Sequence, residues 1–121
     1  MAEKRSDIEA YLPLKPAVVH ILLAISGGAS HGYGVIQSVR EQTEGRPPLS
    51  NGAFYRHLSW LLERGLVAEV ERPPRDADPR RGTHYRITEL GDRVLSAEGG
   101  RMREVLAAIE SKASPTDERI A

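Results

Sequence analysis

A run of polar residues at 50–59 carries the groups best suited to specific contacts with another molecule. Asn51 can pair with an adenine edge, and Arg56 with guanine or with a phosphate. Ser50 is a good helix N-cap, so the free N–H groups beside it can point at a phosphate. These groups suit a helix that reads duplex DNA, although any surface helix can begin with such a cap and polar residues, and Tyr55 fits a half-buried core position equally well. The candidate contacts on this helix are Ser50, Asn51, Gly52, Tyr55, Arg56 and Ser59.

Arginines form a second concentration of binding groups, with five of them against two acidic residues in segment 72–86. Residues 73–82 are rich in proline, aspartate and arginine, and we interpret them as a loop between strands at 66–72 and 84–87. At such a tip, Arg75, Arg80 and Arg81 can reach neighbouring phosphates. The alternative is that these arginines are only a solvated face, which is the usual role of a charge run.

Three helices must position these groups. The apolar pattern predicts helices at 17–26, 32–43 and about 50–64, with Ser30 as the N-cap of the second. Tyr33 of the second helix is a further candidate DNA contact, although its position also fits the inner face. In the third helix, apolar residues at helical spacing place the polar candidates on the outward side.

The order of three short helices, a hairpin and a last helix is that of a winged helix-turn-helix. The predicted fold class is therefore mainly α with a small β-hairpin. We divide the chain into a flexible arm (1–13), a DNA-binding domain (14–87), a C-terminal dimerisation helix (88–112) and a frayed tail (113–121). Within the last helix, the adjacent glycines at 99 and 100 predict a kink or a close helix contact.

Composition and residue spacing exclude several classes of protein. The 121 residues contain no cysteine and carry 17 basic and 17 acidic side chains, which argues against a nonspecific nucleic-acid coat but not against a specific binder. The histidines at 20, 31, 57 and 84 have no ligand spacing, and no nucleophile adjoins a base. We expect no enzyme activity, no metal or other cofactor, no membrane association and a cytoplasmic location.

Motifs spread along the chain resemble those of the PadR-like transcriptional regulators. They are LKPAVVHILLAI at 14–25, HGYGVI at 31–36, LSNGAFYRHL at 49–58, LLERGLV at 61–67 and RRGTHYRITELG at 80–91. The resemblance covers about residues 14–112 and is to the short-tailed type. It implies a homodimeric repressor of a two-fold symmetric operator, often responsive to small aromatic or drug-like molecules.

The same resemblance implies that the C-terminal helix packs against the partner protomer, mostly on its N-terminal region. An apolar seam between these helices is the candidate effector pocket, although its residues also fit plain dimer core. The candidate interface residues are Val18, Leu22, Val94, Leu95, Met102, Val105, Leu106 and Ile109.

Some residues depart from the family pattern. Asn51 stands where proline is frequent, and Ser59 and Trp60 stand where basic residues are common, so we expect Trp60 to pack against the hairpin or the first helix. The Ser59 and Trp60 substitutions and the zero net charge favour one alternative, a winged-helix protein-interaction module without specific DNA binding.

Overall fold

The computed structural model describes residues 5–29, 31–46, 48–71 and 82–113. Within these ranges, five helices and a two-stranded sheet follow one another. They are α1 (Arg5–Glu9), α2 (Pro16–Ser26), α3 (Gly32–Thr43), α4 (Asn51–Glu63), β1 (Val67–Val70), β2 (His84–Ile87) and α5 (Glu89–Ala113). This architecture confirms the predicted mainly helical fold with a small hairpin.

Helix α2 lies at the centre of the core. Pro16 lies in its first turn, where a backbone N–H would have no intrahelical carbonyl to bind, so proline costs the helix no hydrogen bond. Most of its side chains are buried because α3, α4, α5 and the hairpin all contact it. The uniformly apolar sequence of this helix is therefore matched by burial on several faces.

Helix α3 begins differently from the sequence expectation. Its N-cap is His31, whose Nδ1 accepts a hydrogen bond from the Gly34 N–H at 3.1 Å. Ser30, the predicted cap, lies outside the described residues. The imidazole thus satisfies one of the free N–H donors in the first turn of the helix. The helix ends at Thr43, and its C-cap Glu44 adopts the left-handed conformation with φ 54°.

The hairpin is tied to the helices at its base. Strands β1 and β2 pair antiparallel, with Val67 opposite Ile87 and Val70 opposite His84. Thr88 follows β2 and caps α5, since its hydroxyl oxygen accepts from the Gly91 N–H at 3.0 Å. The same hydroxyl donates to the Gly65 carbonyl at 2.6 Å, joining the end of α4 to the start of α5.

Helix α5 has two halves with different surroundings. In the first half Gly91, Val94 and Glu98 are buried at intervals of three and four residues, so one face packs on the body. In the second half, residues 102–112 are all exposed. The helix is continuous through Gly99 and Gly100, and a Cβ at either position would meet no described atom within 4 Å. The predicted close contact at these glycines is therefore absent among the described residues.

The N-terminal segment departs from the predicted flexible arm. Residues Arg5–Glu9 form α1, which packs on α5, and Ile8 is buried there. Tyr11 and Leu12 of the connection to α2 are half-buried against the same core. Apolar side chains at 8, 11 and 12 have helical spacing, and burying them favours an ordered segment over a solvated one.

Three predicted dimer contacts are corrected by their burial. Val18, Leu22 and Val94 lie in the core of the single chain, where other elements of the same protomer cover them. Apolar residue type alone does not separate a core position from an interface position. Leu95 is half-buried, and Met102, Val105, Leu106 and Ile109 are exposed.

Candidate nucleic-acid interface

The start of α4 is fixed by the predicted cap. Ser50 Oγ accepts a hydrogen bond from the Ala53 N–H at 3.1 Å, and the Ser50 carbonyl accepts from the Phe54 N–H at 2.9 Å. Asn51 and Gly52, the first two helical residues, are exposed. Their N–H groups have no earlier helical carbonyl to bind, so this end of α4 can accept an anion such as a phosphate.

The two faces of α4 have opposite character. Phe54, Leu58 and Leu61 are buried and form the inner face. Every candidate contact on this helix is exposed, and Tyr55 retains 49% of its accessible surface. Gly52, Tyr55, Arg56 and Ser59 line one shallow outward surface, together with Trp60 and Glu63. The structure thus brings four of the six predicted contacts of this helix onto one open surface, and Ser50 and Asn51 are exposed at the start of the helix.

A glycine in α3 makes room for Tyr55. A Cβ at Gly32 would lie 2.9 Å from the Tyr55 hydroxyl oxygen, so a side chain there would force the end of the tyrosine to shift. The Tyr55 ring also packs edge-to-face on Phe54, with ring centroids 4.9 Å apart. These contacts set the angle at which the tyrosine leaves α4 and place its hydroxyl beside the start of α3.

Tyr33 lies on the outward side of α3, not on its inner face. Its side chain is 66% exposed, and its hydroxyl oxygen accepts a hydrogen bond from Gln37 Nε2 at 2.7 Å. Of the two sequence interpretations of Tyr33, exposure favours the DNA-contact one. Gln37, one helical turn later, is a supporting residue that the sequence analysis missed.

The described part of the chain does not test the predicted contacts of the wing. Arg75, Arg80 and Arg81 lie outside the described residues, so their role stays a prediction. Tyr85 in β2 was not among the candidates. Burial raises the pKa of its hydroxyl, and the Glu69 carboxylate raises it further, with a smaller contribution from Tyr55. The hydroxyl therefore stays protonated at neutral pH and can donate a hydrogen bond.

A second group of polar residues lies where α4 meets the start of α2. Lys15, Arg56 and His57 line a common groove there with Trp60. Burial lowers the pKa of the His57 imidazole, and the charges of Lys15 and Arg56 lower it further. Lys15 and His57 were missed by the sequence analysis because 41 residues separate Lys15 from Arg56 and only folding brings them together.

Trp60 packs on a partner that the sequence did not predict. It is half-buried, and its ring stands edge-on to Tyr11 of the α1–α2 connection, with centroids 6.4 Å apart. The Arg64 guanidinium carbon lies 5.7 Å from its centroid. The sequence expectation of the hairpin or the first apolar helix did not anticipate that the N-terminal segment is ordered.

The comparison with protein families decides the identity. Residues 21–97 match the transcriptional regulator PadR-like family. The chain belongs to this family. The predicted resemblance is confirmed, and the matched region runs from α2 through the helix-turn-helix and the wing into the first half of α5. A comparison with the curated proteins finds no match for this chain.

Membership of the PadR-like family makes this chain a transcriptional regulator, and the family is one of DNA-binding factors rather than enzymes. Within the described ranges, no group of three or more potential ligands is arranged to hold a metal ion. None of the described helices is both long and apolar enough to cross a membrane. The matched region stops before the exposed half of α5 and begins after Tyr11 and Lys15.

Proposed function

We propose that this PadR-like chain is a homodimeric repressor that places α4 of each protomer in the major groove of a two-fold symmetric operator. The observation that carries the proposal is the division of α4 into a buried apolar face and an exposed face of reading residues. A helix fits the major groove, where each base pair presents a distinct pattern of donors and acceptors.

Each outward residue has a distinct part in this proposal. Asn51 and Arg56 contact base edges, and the N–H groups beside Ser50 bind a phosphate. Tyr33, Tyr55 and Ser59 offer hydroxyl groups to the backbone, which fix the register of the protein on the duplex. Gly52 allows the helix to approach closely. The wing arginines Arg75, Arg80 and Arg81 reach the phosphates next to the reading helix.

The exposed half of α5 supports the dimer. Met102, Val105, Leu106 and Ile109 follow the three- and four-residue spacing of one helix face, and Leu106 and Ile109 are 53% and 60% exposed. Leu95 continues this stripe toward the body. An uncovered apolar stripe is typical of a protein-binding surface, and a second copy of the same helix offers a matching one.

A dimer of this kind places two α4 helices on one side of the assembly. Half-sites about one helical turn, or 34–36 Å, apart then allow both helices to bind together. The last part of the proposal is that a small apolar or aromatic molecule releases the repressor from its operator. Met102 supports it because methionine adapts to ligands of different shape.

Selection from a randomised duplex library tests the proposal and identifies the operator sequence in the same experiment. We expect enrichment of an inverted repeat, bound by two protomers, with an affinity that falls as salt is raised. No enriched sequence, together with binding that is insensitive to salt, would contradict the proposal and favour the protein-interaction alternative.

A further inference from the structure

The outward face of α4 has two flanks, and each flank meets a different helix. Tyr55 and His57 are about 200° apart around the helix axis, so they leave α4 on opposite sides of Arg56. On the flank of Tyr55, the hydroxyl group lies beside the start of α3 at Gly32. On the flank of His57, a groove opens toward the start of α2, where Lys15 lies. Polar groups of two other helices therefore stand on either side of α4.

The width of the major groove decides what these flanks can contact. The groove is about 12 Å wide, and a helix with its side chains is about 10–12 Å across. A helix that reads base edges therefore lies between two phosphate backbones, one on each side. The α3 flank offers the exposed hydroxyl groups of Tyr33 and Tyr55 to one backbone. The flank with Lys15 then faces the other backbone.

The flank with Lys15 is cationic. Lys15, Arg56 and His57 line its groove, and none of the described lining residues is acidic. Lys15 and Arg56 are exposed, and neither forms an ion pair with a described carboxylate. The outward surface of α4 itself offers less net charge, because Glu63 lines it together with Arg56. A concave site with charges of one sign attracts an anion.

His57 adds a hydrogen-bond donor to this groove without adding a charge. Burial lowers the pKa of its imidazole, and the charges of Lys15 and Arg56 lower it further. The ring is therefore neutral at neutral pH, and one of its nitrogens carries a hydrogen that it can donate. A charged donor and a neutral donor side by side suit a phosphate group, which has several acceptor oxygens.

The backbone at Lys15 is fixed by its neighbours. Leu14 is buried, and its backbone N–H donates to the Glu98 carboxylate. Pro16 follows Lys15 and begins α2. Lys15 is the N-cap residue of α2, but its side chain makes no capping hydrogen bond, so the ammonium group can bind another molecule at no cost to the helix. A donor on a fixed backbone loses less freedom on binding than one on a mobile loop.

We propose that the groove between Lys15 and His57 binds a DNA backbone phosphate on the side of α4 that faces away from α3. Lys15 supplies the charge, and His57 supplies a hydrogen bond to the same phosphate. This inference rests on the proposed function, since it requires α4 in the major groove. It adds a contact to the second backbone of that groove and assigns it to Lys15, which lies outside the region that matches the PadR-like family.

Salt dependence separates a phosphate contact from a base contact. Binding of the full chain to the selected duplex and to its scrambled counterpart is measured by fluorescence anisotropy over a salt series. A lysine that neutralises one phosphate contributes about 0.9 to the slope of log affinity against log salt. Because each protomer of the dimer carries one Lys15, Lys15→Met should flatten this slope by about two. It should also weaken both duplexes by a similar factor, about tenfold or more at low salt, and leave the sequence preference unchanged.

Three further variants separate charge from shape. Lys15→Arg keeps the charge and should keep the wild-type slope. His57→Phe removes a neutral donor, so it should lose affinity about threefold with an unchanged slope. Arg93→Met removes an exposed charge from α5, outside the groove, and is the matched control with the wild-type slope. Circular dichroism first shows that each variant is folded.

Neutral phosphate analogues locate the contact on the duplex. Each phosphate of one half-site is replaced in turn by an uncharged methylphosphonate, and the loss of affinity is compared between wild type and Lys15→Met. We expect one position at which wild type loses affinity and Lys15→Met loses none, because the variant already lacks that interaction. The position that couples in the same way to Tyr55→Phe should lie on the other strand, across the major groove.

The outcomes separate this inference from the function on which it rests. A Lys15→Met slope equal to that of Arg93→Met, or the absence of any methylphosphonate position that couples to Lys15, would overturn the inference alone. A lost preference for the selected duplex would also overturn it, since Lys15 would then read a base. If the wild-type chain binds neither duplex at any salt concentration, the proposed function fails and the phosphate site fails with it.

Discussion

The carboxylate of Glu98 and the guanidinium of Arg101 form a two-pronged ion pair on α5, with both nitrogen–oxygen distances at 2.7 Å. Glu98 is 1% exposed and also accepts a backbone hydrogen bond from Leu14, so the pair joins α5 to the segment that leads into α2. The hydrogen bonds of Arg101 are the largest cause that holds the pKa of Glu98 below its ordinary value.

Acid is therefore expected to weaken the fold through Glu98. Because its folded-state pKa is depressed, its contribution is fully present above the unfolded value of about 4.5 and is lost as pH falls through the folded pKa. Glu98→Gln should lower the free energy of unfolding by about 2 kcal/mol at neutral pH. The difference from wild type should shrink at successively lower pH below 4.5.

Urea unfolding followed by circular dichroism, at neutral pH and across the acid range, measures this difference. Glu110→Gln, at an exposed position of the same helix, is the control and should match wild type. A Glu98→Gln deficit that stays constant down to the most acid point would show that the side chain acts through shape and not through its charge.

Gly91 is expected to tolerate no side chain. A Cβ there would collide with the Leu66 carbonyl oxygen and with Ile87, where α5 crosses the base of the hairpin. Gly91→Ala should destabilise the fold by about 2 kcal/mol, as measured by chemical unfolding. Gly52→Ala is the matched change, since its Cβ would meet only Arg56 Nη1 at an ordinary 3.6 Å, and its stability should stay within about 0.5 kcal/mol of wild type. Equal losses in the two variants would contradict this explanation of Gly91.

The exposed stripe of α5 is expected to hold the dimer together. Leu106→Glu places a charge in the middle of the stripe, and it should give a folded monomer by sedimentation velocity. Its operator affinity should fall about a hundredfold because a monomer reads only one half-site. Ala107→Glu puts the same charge on the opposite side of the helix and should remain dimeric. A dimeric Leu106→Glu variant would place the interface elsewhere.

The elements that the sequence predicted best are those whose signals are local. The apolar spacing of α4 and its cap residue Ser50 specify this helix within a few positions, so its outward face follows as well. The order of the elements was sufficient to indicate the fold.

The features that the sequence did not reveal depend on distant contacts. Helix α1 has only five residues, and it is ordered because Ile8 finds a buried site against α5. Val18 and Leu22 are apolar, and apolar residues occur both in interfaces and in cores. Only the packing of four other elements around α2 shows that these two residues belong to the core. The groove between α2 and α4 brings together Lys15 and Arg56, which are 41 positions apart in the sequence. Local sequence patterns do not predict contacts between residues so far apart.

The reading role of α4 is tested most directly by fluorescence anisotropy of the selected duplex and its scrambled counterpart with wild type, Tyr55→Ala, Arg56→Ala and the control Arg93→Ala. We expect that Tyr55→Ala and Arg56→Ala lose about tenfold or more of their affinity for the selected duplex and remain dimeric, while Arg93→Ala binds like wild type. If both α4 variants keep the wild-type preference for the selected sequence, α4 is not the reading helix.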